Sequence, residues 1–171
     1  LSLLLVLVMA ISGLTACGGT GANATANFDV PEGGYDGSEV TITFYHTMGA
    51  NLREVLELYI AEFNKLYPNI HIVHEQVGGY DDVRNQMNTE IAAGKTDVNV
   101  AYCYPDHIAT YNTSKTVISL DNLIGDETYG FSDEEIDDFI GAYYDEGASL
   151  GDGKMYSLPF SKSSEILYYD A

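Results

Sequence analysis

Cys103, Asp106 and His107 stand close together and are the side-chain types of a thiol nucleophile with an acid and a base. The types alone do not make the chemistry. A Cys at the end of a strand is more often a small apolar filler, and no flanking motif supports catalysis. His71 and His74 are three apart in a segment that reads as a strand, so they point to opposite faces and make a poor metal pair. The run 126–138 is acidic but lacks the Asp-x-Asp-x-Asp-Gly spacing of a calcium loop, and a solvated helix start accounts for it. Neither a Gly-x-x-x-x-Gly-Lys phosphate loop nor a Gly-x-Ser-x-Gly elbow occurs. No catalytic residue, cofactor or metal is therefore expected. What remains is a set suited to holding a polar ligand: His46 and Thr47, then Tyr80, then Tyr104 and Asp106, aromatic or hydrogen-bonding groups that follow apolar runs.

The elements that must position them can be read in order. Val40, Ile42 and Phe44 alternate with Thr41, Thr43 and Tyr45, the period of a strand. After the loop His46–Gly49, Leu52, Val55, Leu56, Tyr59, Ile60, Phe63 and Tyr67 recur at helical spacing, with Asn51 and Glu54 set as a capping box and Pro68 as the stop. A second strand over Ile70–Val77 leads through Gly78-Gly79-Tyr80 to a helix capped by Asp81 or Asp82 and ended by Gly94. A third strand over Val98–Tyr102 runs into Cys103–His107. Short connections in β-α-β-α-β order predict an α/β fold with a mostly parallel sheet and flanking helices. Ligands gather beyond the carboxyl ends of such strands, which puts His46–Gly49, Gly78–Asp82 and Cys103–His107 on one rim. Further on, Ile108–Tyr111 predicts a short helix and Val117–Leu120 an extended segment. Ser132 to Glu135 forms a second capping box, opening a helix with Ile136, Phe139, Ile140 and Tyr143 inward. Gly151-Asp152-Gly153 is a turn. Tyr59, Tyr67 and Tyr143 are expected in the core.

Acidic residues outnumber basic ones 26 to 7, for a net charge of −19, which disfavours nucleic acid as a partner. Hydrophobic content of 46% with clear periodicity argues for a folded domain rather than disorder. The chain starts at Leu1 without a Met and ends inside what reads as a strand, so a piece lacking both ends is expected. Residues 1–16 are almost wholly apolar, the length of a signal-peptide core rather than of a spanning helix. Leu14-Thr15-Ala16-Cys17 resembles a bacterial lipobox, which implies that Cys17 is lipidated and opens the mature protein. Two acyl chains on such a Cys give stable attachment where one gives little. With Cys17 so used, Cys103 is the only thiol left and no disulfide framework exists. Residues 17–38, rich in Gly, Asn, Thr and Ala, read as a flexible tether, leaving 39–171 as the folded unit.

Taken in order, ITFYHTMGAN, EFNKLYPNI, HEQVGGYDDVRNQMNTEIAAGK, DVNVAYCYPDHIATY and GKMYSLPFSKSSEILYYD resemble the extracellular solute-binding proteins of ABC importers, in the branch of maltose and glycerol-3-phosphate binders. The ordered set covers nearly everything from Glu39 to Ala171. It departs from the family pattern at Thr96-Asp97, where a Pro-Asp pair is common. The resemblance implies the N-terminal lobe of a type II periplasmic-binding-protein fold, with the second lobe largely missing from this chain. It also implies a monomer that binds a carbohydrate or related polar solute between two lobes and presents it to permease subunits. By the same match Ser161, Ser163 and Ser164 join the ligand-binding set, and Ile166–Tyr169 becomes the strand crossing toward the other lobe. Asp106 disfavours a phosphate nearby, so a neutral oligosaccharide is expected over a glycerol phosphate. A surface-anchored carbohydrate-active enzyme is the rival reading, and would need two carboxylates facing each other across a cleft.

Overall fold

The computed structural model describes residues 28–163 and 166–169. Its organising strand is β1 (Val40–His46), flanked on one side by β2 (Ile70–Gln76) and on the other by β3 (Val100–Ala101), all parallel. β1 and β2 pair along their whole length, from Val40 opposite Ile70 to His46 opposite Gln76. β3 is shorter than its apolar pattern predicts. The side chain of Asn99 accepts a hydrogen bond from Thr43 N–H (2.9 Å), replacing a ladder carbonyl at that level. The backbone bonds Asn99 N–H to Thr43 O and Tyr102 N–H to Tyr45 O still hold both ends of the segment beside β1.

Helix α1 (Ala50–Leu66) links β1 to β2, and α2 (Tyr80–Ala92) links β2 to β3. α1 begins earlier than the Asn51–Glu54 pattern predicts: Gly49 is its N-cap, and no side chain caps it. Asn51 thus falls inside the first turn. α2 ends as its sequence predicts. Gly94 takes φ +67°, its N–H bonds Ile91 O, and Lys95 N–H bonds Glu90 O, which satisfies the last carbonyls of the helix. Tyr45 donates to Glu90 on α2 (3.1 Å), while Glu57 of α1 approaches His74 of β2 (4.0 Å). α3 (Pro105–Asn112) follows β3 and buries His107, Ile108 and Tyr111.

The core comprises Tyr45, Met48, Leu56, Val83, Ile108, Tyr111, Met155 and Tyr156. It takes in little of α1: Leu56 is buried, and Ile60, Phe63 and Tyr67 are half-buried. Leu52 (61% exposed), Val55 and Tyr59 (60%) face outward, against the expectation that Tyr59 is core. These three lie on one flank of the helix, which no described element covers.

After α3 the chain is built from short pieces: α4 (Asp121–Ile124), α5 (Asp133–Asp138), α6 (Gly141–Asp145) and a 3-10 turn at Glu146–Ala148. The single helix expected from Ser132 onward is broken. Phe139 (ψ 148°) and Ile140 (ψ 110°) are extended, and Ile140 is 63% exposed rather than inward. Asp137 and Asp138 lie where the negative end of the helix dipole disfavours carboxylates, which ends α5 there. The Ser132–Glu135 capping box forms as read, with each residue bonding the other's backbone N–H. Leu120 N–H bonds Met155 O, and Asp121 accepts from Met155 N–H, which seats the 117–120 segment beside residue 155. Ile166–Tyr169 forms no strand and is exposed at all four positions, so the expected crossing strand is absent from the described residues.

Upstream, residues 28–38 lie against the folded unit. Asn69 bonds Gly37 O (2.6 Å), Asn122 bonds Asp29 (2.7 Å), Tyr35 N–H bonds the Tyr129 hydroxyl (2.9 Å), and the Tyr35 ring meets Tyr67 edge-on. The stretch read as tether therefore contributes its later residues to the fold. Residues 1–27, with the stretch read as a leader and Cys17, lie outside the described residues. Among those described, no helix is long and apolar enough to cross a membrane.

Candidate functional site

The carboxyl ends of β1, β2 and β3 carry the three loops read as a rim. The second is built around Gly78 and Asp82. Asp82 accepts a hydrogen bond from Gly79 N–H (2.7 Å), and a Cβ at Gly78, whose φ is +56°, would collide with that carboxylate. Glycine is required there for the cap to form. One consequence is that Tyr80 is the first residue of α2 rather than a loop residue, so the helix start fixes its backbone. Tyr104 is fixed in a similar way, as the extended N-cap of α3 with Pro105 following at the first helical position.

These two starts bring the rings together. Tyr80 and Tyr104 stack at 4.4 Å between centroids, and Tyr102 lies parallel to Tyr80 at 6.3 Å. Phe160 meets Tyr102 at 5.6 Å, and Phe44 meets it edge-on at 5.5 Å. The result is an aromatic row across the strand ends, with Tyr104 (46%) and Phe160 (61%) exposed. Ser161 lies beside Tyr102 and lowers the affinity of that phenol for its proton. Burial outweighs this and holds the Tyr102 pKa above the usual range. Tyr102 and Phe160 were not singled out in the sequence. Their signals were Tyr102 and Tyr104 at alternate positions past a strand, and Pro159-Phe160 ahead of Ser161.

The remaining expected residues divide. Asp106 is exposed in the first turn of α3, with its carboxylate 4.0 Å from His107 Nε2. Thr47 is half-buried in the loop after β1, and Ser163 is exposed. Ser164 and Cys17 lie outside the described residues. His46 is fully buried, and both ring nitrogens are engaged: Nδ1 with Met48 N–H (3.0 Å) and Nε2 with His74 Nδ1 (2.9 Å). In this structure its ring faces the interior, not the rim surface.

Charge around the row is mainly negative. Arg84 is paired with Asp81 (3.0 Å), and Lys162 is paired with Glu146 and sits over the Tyr143 ring. Cys103 is half-buried, and burial, with Asp106 second, pushes its thiol up to about 11. It is therefore a neutral thiol near neutral pH, without the activation a nucleophile needs. Among the described residues no group of three or more His, Cys, Asp or Glu could hold a metal ion. A concavity of about 720 Å³ is lined by Phe131, Ser132, Glu134, Glu135, Asp138 and Phe139 and by none of the rim residues. Ser132 and Glu135 satisfy each other there as a helix cap, so that hollow is a by-product of the α5 start.

The aromatic row thus lies at the strand ends of a parallel α/β sheet, the edge where such folds bind ligands. The chain belongs to the bacterial extracellular solute-binding protein family, whose model matches residues 59–171. It is 26% identical over 132 residues to the sn-glycerol-3-phosphate-binding periplasmic protein UgpB of Salmonella typhimurium, and 25% identical over 132 residues to that of Escherichia coli K12. Each match covers 76% of this chain and 29% of the relative, so the chain spans under a third of the length of these curated relatives. Among solved structures, an extracellular solute-binding protein family 1 member from Alicyclobacillus acidocaldarius aligns with TM-score 0.56 at 24% identity, covering 71% of this chain and 28% of that one. The GacH receptor of Streptomyces glaucescens aligns with TM-score 0.57 at 15% identity, over 71% of this chain and 29% of that one. The fold is thus periplasmic-binding-protein-like, as the family resemblance of the sequence implies.

Proposed function

We propose that this chain is the N-terminal lobe of a lipid-anchored, non-enzymatic substrate-binding protein that captures a neutral carbohydrate for an ABC importer. The observation that carries the reading is the aromatic row Tyr104–Tyr80–Tyr102–Phe160 at the strand ends, with Ser161 beside it. Exposed ring faces suit the CH surfaces of a sugar. Thr47, Asp106, Ser161, Ser163 and Ser164 would supply hydrogen bonds to its hydroxyls. His46 would act from behind, by holding the loop that carries Thr47.

Relatives named for sn-glycerol-3-phosphate offer a second ligand class. The charges favour the neutral one. Asp106 is exposed on the rim, while Arg84 and Lys162 are already paired with carboxylates. A phosphate would meet repulsion there before meeting a cation. Closure of a second lobe over the row would complete the site, and the closed monomer is the form a permease would recognise. Attachment to the outer face of the membrane would run through lipid on Cys17. Release of a Cys17→Ala protein from the membrane fraction is expected, and unchanged processing and retention would remove that part of the reading.

The ligand reading is tested in the full-length protein by calorimetry with maltotriose and with sn-glycerol-3-phosphate. Tyr80→Ala and Asp106→Ala are each expected to weaken maltotriose binding by about 1–3 kcal/mol, the scale of a lost stacking contact or charge-assisted hydrogen bond. The ligand-free melting temperature should change little. Binding of the phosphate alone would refute the charge argument, and unaltered affinity in both variants would refute the site.

A further inference from the structure

We propose that His74 is a positioning residue for the binding rim, holding the loop after β1 in place through His46, and that acid releases this hold. The link to ligand capture rests on the function proposed above, but the device itself is defined without a ligand. His46 Nδ1 lies 3.0 Å from Met48 N, and a backbone amide can only donate. Nδ1 is therefore the unprotonated acceptor, and the ring proton of neutral His46 sits on Nε2. That nitrogen is 2.9 Å from His74 Nδ1, so His46 donates and His74 Nδ1 accepts. The proton of His74 is then on Nε2, which faces Glu57 Oε1 of α1 at 4.0 Å. One main-chain amide thus fixes the tautomers of both rings, and the chain of hydrogen bonds runs from the loop after β1 to His74 on β2.

The groups facing this pair are Arg53 and Glu57 from α1, His74 itself from β2, and the Phe44 ring from β1, 5.4 Å from that of His46. Neither imidazole can accept a further proton without breaking the chain. On His46 the free lone pair is Nδ1, and protonating it turns away the Met48 N–H. On His74 the free lone pair is Nδ1, and protonating it sets two N–H groups against each other. Burial, then His74, then Arg53 lower the His46 pKa below its ordinary value. The unfolded or opened loop therefore binds more protons than the closed one. The hold is complete above the ordinary histidine range and is lost as pH falls through the lowered value. Met48 is buried and leads directly to Gly49, the N-cap of α1, so loss of its hydrogen bond frees Thr47 and the helix start together.

In the full-length protein, imidazole nitrogen–proton correlation spectra and hydrogen exchange at the Met48 amide read the device without ligand. Both rings are expected as Nε2–H tautomers near pH 7.5. Met48 protection, corrected for the intrinsic exchange rate, is expected to fall about tenfold by about pH 5. His74→Asn keeps a side-chain acceptor near the Nδ1 position and should retain protection at neutral pH. His74→Phe keeps bulk without an acceptor and should lose about tenfold. An Nδ1–H tautomer on His46, or wild-type protection in a folded His74→Phe, would overturn the proposal. If His74→Phe fails to fold, the wild-type tautomers and pH series decide. Maltotriose titration separates the two readings. No maltotriose affinity with a pH-dependent Met48 removes the sugar reading and keeps the relay, whereas affinity with a pH-independent Met48 does the reverse.

Discussion

Between Val40 and Asn112 the chain is held by contacts distant in sequence: the seven-pair β1–β2 ladder, the Tyr45–Glu90 bond, and a core of Met48, Leu56, Val83, Ile108 and Tyr111. From Thr113 to Ser163 most side-chain bonds close within a few residues. Asp126 accepts from Thr128 and Tyr129 N–H, Ser132 and Glu135 cap each other, and Asp152 takes Lys154 N–H and the Tyr156 hydroxyl. Only Ser119, Gly147, Met155 and Tyr156 are buried there. The site draws on both regions, because Phe160 and Ser161 of the second complete the row begun by Tyr80, Tyr102 and Tyr104 of the first. A rim assembled this way depends on long-range packing for its frame and on local turns for its last members.

Three substitutions sharpen that contrast. Leu56→Ala removes a buried side chain between α1 and the sheet and should lower stability by about 2–4 kcal/mol, read from urea unfolding. An unchanged midpoint would mean that the first region does not rely on this packing. Ser132→Ala should act only locally, speeding exchange of the Glu135 amide by about five- to tenfold with little change in the global midpoint. A large global loss would show the second region to be as cooperative as the first. Leu52→Ala lies on the same helix as Leu56 but on its uncovered flank, and should change stability of the 171-residue chain by less than about 0.5 kcal/mol. An effect as large as that of Leu56→Ala would mean that the flank is packed.

Local signals were legible where they closed on themselves. Gly94 ends α2, Ser132 and Glu135 open α5, and the alternation in Val40–Tyr45 marks the central strand. They misled where a competing local term decided. Gly49 starts α1 ahead of Asn51, because an extended glycine before Ala50 needs no side-chain cap. Phe139 interrupts a helix whose apolar spacing continues, because the carboxylates of Asp137 and Asp138 oppose the last turn. Ile166–Tyr169 has a strand's composition and no neighbour to pair with among the described residues.

By itself the sequence determined the βα order and the three segments that follow the strands, since each rests on spacing within a few turns of chain. Which rings meet was decided by tertiary structure. Tyr80 stacks on Tyr104 because two helix starts lie side by side, and Tyr102 finds Phe160 across most of the length between them. His46 and His74 are 28 residues apart and become hydrogen-bonded neighbours only through the parallel register of β1 and β2. A parallel register is set by distant backbone pairing, which no local pattern encodes.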